Sequence, residues 1–146
     1  MTYEADAYGI HAEPAGLDAG YEPVLHRLAG ILSKATGVAL EERHSDVWGG
    51  VYYRGEANGA EGKDVSIMLT VNFTPAEDDW LEPDYKEYAV LIKLFGKSAR
   101  RVAECRKAIA EASELGAVLL RRTRASPNPR DEILFSLKDE AGGGSR

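Results

Sequence analysis

His44 and Asp46 stand two residues apart in Glu41-Glu42-Arg43-His44-Ser45-Asp46. On an extended strand such a pair shares a face, and a carboxylate beside an imidazole is what orients a general base. No Ser-centred nucleophile motif accompanies it, so the pair reads as a charged strand edge or turn. His11 and His26 stand apart from it. His11 lies in a stretch rich in Gly and Ala, and His26 falls opposite the apolar stripe of a helix, where an exposed side chain is expected.

A second group is Gly96-Lys97-Ser98, followed by Arg100 and Arg101. A helix opening here would present free N–H groups beside cations, and Lys97, Ser98 and Arg101 are the residues that would hold an anion. A full phosphate loop needs glycine five residues before Gly96, where this chain has Leu91, so a nucleotide loop is excluded. Ser98 then reads as the helix N-cap.

The third group is Glu77-Asp78-Asp79-Trp80-Leu81-Glu82-Pro83-Asp84. It lacks the regular oxygen spacing and terminal Glu of a calcium loop. A tryptophan ringed by acids is the composition of a protein-binding hot spot with a charged rim, which nominates Glu77, Asp78, Asp79, Trp80, Glu82 and Asp84 as partner contacts. The competing reading makes Trp80 a plug that pins the loop to the domain. A fourth group, Trp48-Gly49-Gly50-Val51-Tyr52-Tyr53, joins aromatics to paired glycines. Either the glycines bend a strand around its own core, or they open a ligand recess lined by Trp48, Tyr52 and Tyr53.

Elements that must position these residues follow from periodicity. Tyr88-Ala-Val-Leu-Ile-Lys-Leu-Phe95 is apolar on both faces, as a central strand is. Ala99, Val102, Cys105, Ile109 and Ala112 recur every three or four residues and predict a helix over 98–115. Val24, Leu25, Leu28, Ile31, Leu32 and Ala35 predict another over 22–36, with Pro23 in its first turn and Gly37 at its left-handed end. Val65, Ile67, Leu69, Val71 and Phe73 alternate with polar partners, the pattern of an antiparallel strand with one packed and one open face. Further strands are expected at 38–46, 47–54, 117–124 and 133–137, and a flexible loop at 55–62. Residues 1–20 read as a poorly ordered arm and 139–146 as a flexible tail.

Length and composition fit one domain over 21–138: 146 residues, 44% hydrophobic and 29% charged. Cys105 is the only cysteine, which excludes an internal disulfide, and its place on an apolar helix face predicts an inert thiol. With no apolar run long enough for a membrane span and no signal-like start, a cytoplasmic protein is expected. The net charge of −6 divides into −9 over residues 1–97 and +3 over 98–146. Such an acidic excess argues against general nucleic-acid binding and suits either a basic partner or plain solubility.

The expected fold is α+β: a twisted, mainly antiparallel sheet of about six strands, in the order α-β-β-β-β-α-β-β, with both helices on one face. Its open face, carrying Ser66, Met68 and Thr70, is a natural place for a partner or a second subunit. In composition and element order the chain is similar to secretion chaperones and toxin-neutralising immunity proteins, a likeness that transfers no residues. The expectation is therefore an acidic protein-binding module without cofactor, metal or recognisable catalytic motif. The alternatives are a small-ligand domain with its pocket at Trp48 and Tyr52, or an enzyme whose catalytic groups converge from dispersed positions.

Overall fold

The computed structural model describes residues 3–14, 20–45, 50–59, 62–74, 79–97, 99–125 and 132–138. Seven strands form one antiparallel sheet in the order β2-β3-β4-β7-β1-β8-β9. They are β1 (Tyr3–Ile10), β2 (Glu41–Ser45), β3 (Gly50–Gly59), β4 (Gly62–Val71), β7 (Val90–Gly96), β8 (Val118–Ala125) and β9 (Glu132–Ser136). A two-stranded ribbon, β5 (Phe73–Thr74) with β6 (Asp79–Trp80), and a 3-10 turn at Pro83–Tyr85 link β4 to β7. Helices α1 (Glu22–Thr36) and α2 (Ala99–Glu111) cover one face. The α+β class is as expected, and β7 is the central strand.

Strand number and order differ from the sequence reading because of β1. Tyr3–Ile10 falls inside the stretch expected to be an arm, yet it inserts between β7 and β8. Its alternation puts Glu4, Asp6, Tyr8 and Ile10 on the helix side and Ala5, Ala7 and Gly9 on the other. The charges that make the segment look solvated are neutralised inside the fold. The Asp6 side chain is fully buried and takes paired hydrogen bonds of 2.9–3.0 Å from both Arg106 of α2 and Arg122 of β8. Arg106 also reaches Glu4 at 2.8 Å. The hairpin region also differs: β3 and β4 run on to Gly59 and Gly62, so most of the expected loop is strand.

The main core lies between sheet and helices, where Leu25, Leu28, Leu32, Ile67, Leu69, Ile92, Leu94 and Ile109 are all but inaccessible. α1 ends as its sequence implies, on Gly37 at φ 74°, a conformation that costs side-chain-bearing residues energy. The opposite face is not uniformly open. At one end Tyr85, Tyr88, Leu91 and Leu120 form a second, smaller core, with Leu81 and Leu137 packed against it. Gly9 permits this cover, because a Cβ there would lie 2.5 Å from the Tyr88 ring. Thr70, expected on the open face, is therefore fully buried, and only the other half of the face, around Met68 and Phe95, stays uncovered.

Candidate functional site

The acidic segment is held from below by Asn72, which follows β4. Its backbone N–H donates to the Ala89 carbonyl and its own carbonyl accepts from Leu81 N–H, both at 2.8 Å. Its side-chain amide donates to the carbonyls of Tyr85 and Tyr88 at 3.0 Å and, more weakly, of Glu82 at 3.4 Å. This fixes Leu81 to Tyr88 as a rigid cover over the second core. Glu82 consequently points inward. It is 3% exposed and its Oε1 binds Arg121 at 2.6 Å and Lys93 at 3.0 Å. A bulge in β8 makes this meeting possible: Leu119 faces Tyr8 and Arg121 faces Ala7, so Leu120 is extra and shares Arg121's face. Burial holds the Lys93 amine below its ordinary pKa, an effect Glu82 partly offsets.

The residues nominated as partner contacts therefore divide. Glu82 is a buried counter-ion, not a rim charge, because Asn72 turns its backbone inward. Asp84 is exposed and pairs with Lys138 at 3.3 Å. Asp79 is exposed and accepts the Trp80 N–H at 2.8 Å. Glu77 and Asp78 lie outside the described residues. Trp80 is half-buried and packs against Phe73 with ring centroids 5.1 Å apart, while the Lys86 ammonium sits 5.7 Å from its ring.

Trp80 walls a recess of about 540 Å³. Leu25, Val51, Val71 and Phe73 supply its apolar lining, and the exposed Glu13, Glu22 and Glu87 stand with Lys86 among its polar residues. These three acids come from the chain before α1, from the start of α1 and from the end of the pinned segment. Only the fold brings them together. The sequence signal that could have found them is the tertiary one missing from any single stretch.

The residues expected to line a ligand pocket, Trp48, Tyr52 and Tyr53, are placed only in part. Trp48 lies outside the described residues. Neighbouring strand residues point to opposite faces, so Tyr53 enters the helix-side core while Tyr52 faces away. Tyr53 is 5% exposed, donates to Glu42 at 3.2 Å and meets His26 Nδ1 at 3.1 Å. Burial, then Glu42, pushes its phenol pKa up.

The expected anion site is likewise divided. Ser98 is outside the described residues. Arg101 pairs with Glu104 along α2 at 3.2 Å. The Lys97 ammonium lies 5.9 Å from the Tyr3 ring, in a separate groove of about 480 Å³ on the uncovered half of the sheet.

His44 is exposed on the edge strand β2, and Asp46 is outside the described residues. His11 stacks on Tyr88 with ring centroids 4.4 Å apart. No cluster of three or more metal-ligating side chains occurs among the described residues. Among the described residues no helix is long and apolar enough to cross a membrane. Comparison with protein-family models and with curated proteins finds no match.

Proposed function

We propose that this chain is a non-enzymatic protein-binding module that captures a basic segment of a partner at the Trp80 recess, in the manner of an immunity-type inhibitor or a chaperone. One observation carries the reading: a half-buried tryptophan walls an apolar recess whose polar lining, among the described residues, holds three exposed carboxylates, Glu13, Glu22 and Glu87, against one cation, Lys86. An apolar side chain entering the recess would bury surface against Trp80, Phe73 and Leu25. Flanking Lys or Arg residues would meet the carboxylates. Aromatic anchors of this kind govern dissociation, and rim charges govern the rate and salt dependence of association. The contact set thus moves from the linear run Glu77–Asp84 to Trp80 with acids drawn from three parts of the chain.

The test is a random-peptide selection on the intact protein, followed by binding kinetics of the selected peptides at two salt concentrations. Peptides combining Lys or Arg with a large apolar residue are expected. Trp80→Ala should speed their dissociation by about tenfold or more, and the triple change of Glu13, Glu22 and Glu87 to Gln should slow association and flatten its salt dependence. Selected peptides without basic residues, or unchanged kinetics in variants that remain folded, would remove the support for this reading.

A further inference from the structure

The groove on the uncovered half of the sheet is built differently from the Trp80 recess. In register, Phe95 of β7 lies between Ser66 and Ala5, and Lys93 lies between Met68 and Ala7. Small neighbours on the β1 side leave these two long side chains standing above a low floor. Tyr3 stacks on Phe95 with ring centroids 5.1 Å apart and an interplanar angle of 10°. Phe95 nevertheless remains 44% exposed.

Among the described residues, three cationic side chains line the same groove: Arg54 from β3, Lys93 from β7 and Lys97 just beyond it. Glu56 and Asp64 are the acidic residues that line it among those described. Glu56 is engaged by Arg54 at 3.3 Å and by the Ser66 hydroxyl at 3.4 Å, and Lys93 is held by Glu82 at 3.0 Å. Lys97 touches the Tyr3 ring and has no ion-pair partner among the described residues.

We infer that this groove binds an anion of the nucleoside-monophosphate class, with its planar base on Phe95 and its phosphate at Lys97. The volume of about 480 Å³ suits a small ligand. A simple inorganic anion would leave the Phe95 surface unused, whereas a neutral aromatic would leave the Lys97 ammonium without a counter-charge. A planar ring carrying a phosphate satisfies both, since aromatic platforms stack on bases and ammonium groups make charge-assisted bonds to phosphate. Arg54, Glu56 and Ser66, already joined in one polar chain, offer both donors and acceptors to the ring's edge. A long nucleic-acid strand fits poorly, because the chain's net charge is −6 and strand affinity grows with the number of phosphates neutralised. This site is independent of the Trp80 recess.

The experiment titrates AMP, GMP, CMP and UMP, with adenosine, inorganic phosphate and an oligo-U single strand as comparisons, into isotopically labelled intact protein followed by amide NMR. At least one monophosphate should shift the amides of Ser66, Phe95 and Lys97 and bind about tenfold tighter than adenosine or phosphate. Phe95→Leu, which keeps apolar volume without a ring, and Lys97→Ala should each weaken it by about tenfold, whereas Trp80→Ala should leave it unchanged. Binding no tighter than that of phosphate, shifts confined to other surfaces, a Phe95→Leu variant that binds normally, or a preference for the oligonucleotide with steep salt dependence would each overturn the assignment.

Discussion

The side-chain carbonyl of Asn72 accepts the backbone N–H of Glu82 at 2.8 Å, so one fully buried amide sets the path of the segment that carries Trp80. Removing it takes the partner from the Glu82 N–H and from the Tyr88 carbonyl, whereas the Tyr85 carbonyl keeps the Tyr88 N–H and the Glu82 carbonyl keeps the Tyr85 N–H. Each buried group left unpaired costs about 1–3 kcal/mol. Asn72→Ala should therefore destabilise the protein by about 3 kcal/mol or more. Asn72→Asp should be no milder, because it keeps the acceptor but loses both donors and brings an unpaired charge into the interior. Urea unfolding measures the loss, and limited proteolysis should show new cleavage between residues 79 and 89. A loss below about 0.5 kcal/mol, the range of surface substitutions, would mean the segment is held by its side chains instead.

Adjacent residues of β7 offer a sharper check on the two faces. Leu94 is 1% exposed in the helix-side core, whereas Phe95 is 44% exposed on the other face. Leu94→Ala should cost about 2–5 kcal/mol through lost burial and the cavity left behind, as should Ile92→Ala and Ile109→Ala. Phe95→Leu should cost under about 1 kcal/mol. Equal losses at Leu94 and Phe95 in denaturant unfolding would place a hidden packing partner on the uncovered face.

Cys105 should react slowly in the native protein. It is 2% exposed on the apolar face of α2, and burial pushes its thiol pKa above the ordinary value, which keeps it from the nucleophilic thiolate form. A thiol-reactive dye should label it at a rate limited by opening of the fold, and denaturant should abolish the delay. Fast stoichiometric labelling without denaturant would give the thiol a chemical role.

What the sequence made legible was whatever one stretch could encode. The stripe of Leu25, Leu28 and Leu32, the left-handed Gly37, and the alternation of Val65, Ile67 and Leu69 each carry their own geometry, and they placed both helices and the central sheet. β1 was hidden because Glu4 and Asp6 look solvated until Arg106 and Arg122, a hundred or more residues away in the chain, are brought beside them. Glu82 misled for the same reason: its partner Arg121 is 39 residues distant and is turned toward it by a bulge. Trp80 was legible as a candidate anchor, but the acids around its recess were not, since Glu13, Glu22 and Glu87 share no local pattern. Alternation along 117–124 splits Arg121, Arg122 and Arg124 between two faces. Which arginine went where depended on Leu120 being the extra residue.

Asp6 should make stability pH-dependent on the acid side. Burial alone would raise its pKa, but hydrogen bonds from Arg106, Arg122 and the Tyr8 hydroxyl outweigh that, and the carboxyl is held below its ordinary value of 3.8. A depressed folded-state pKa means the unfolded chain takes up the proton first as pH falls. The stabilisation is therefore complete above about pH 5 and is lost as pH drops through the ordinary value of 3.8 toward the folded-state value. Asp6→Asn should cost about 3–5 kcal/mol near neutrality, because it takes the carboxylate from Arg122 and leaves Arg106 with Glu4, which Arg124 also approaches at 3.9 Å. The difference between wild type and variant should then shrink as the urea midpoints are followed from pH 7 down to about pH 3. Arg106→Leu gives a second reading of the same link if Asp6→Asn is too unstable to measure, since removing one donor should also flatten the acid-side slope. A wild-type-to-variant difference that stays constant across this range would show that shape at Asp6, not its charge, holds β1 between β7 and β8.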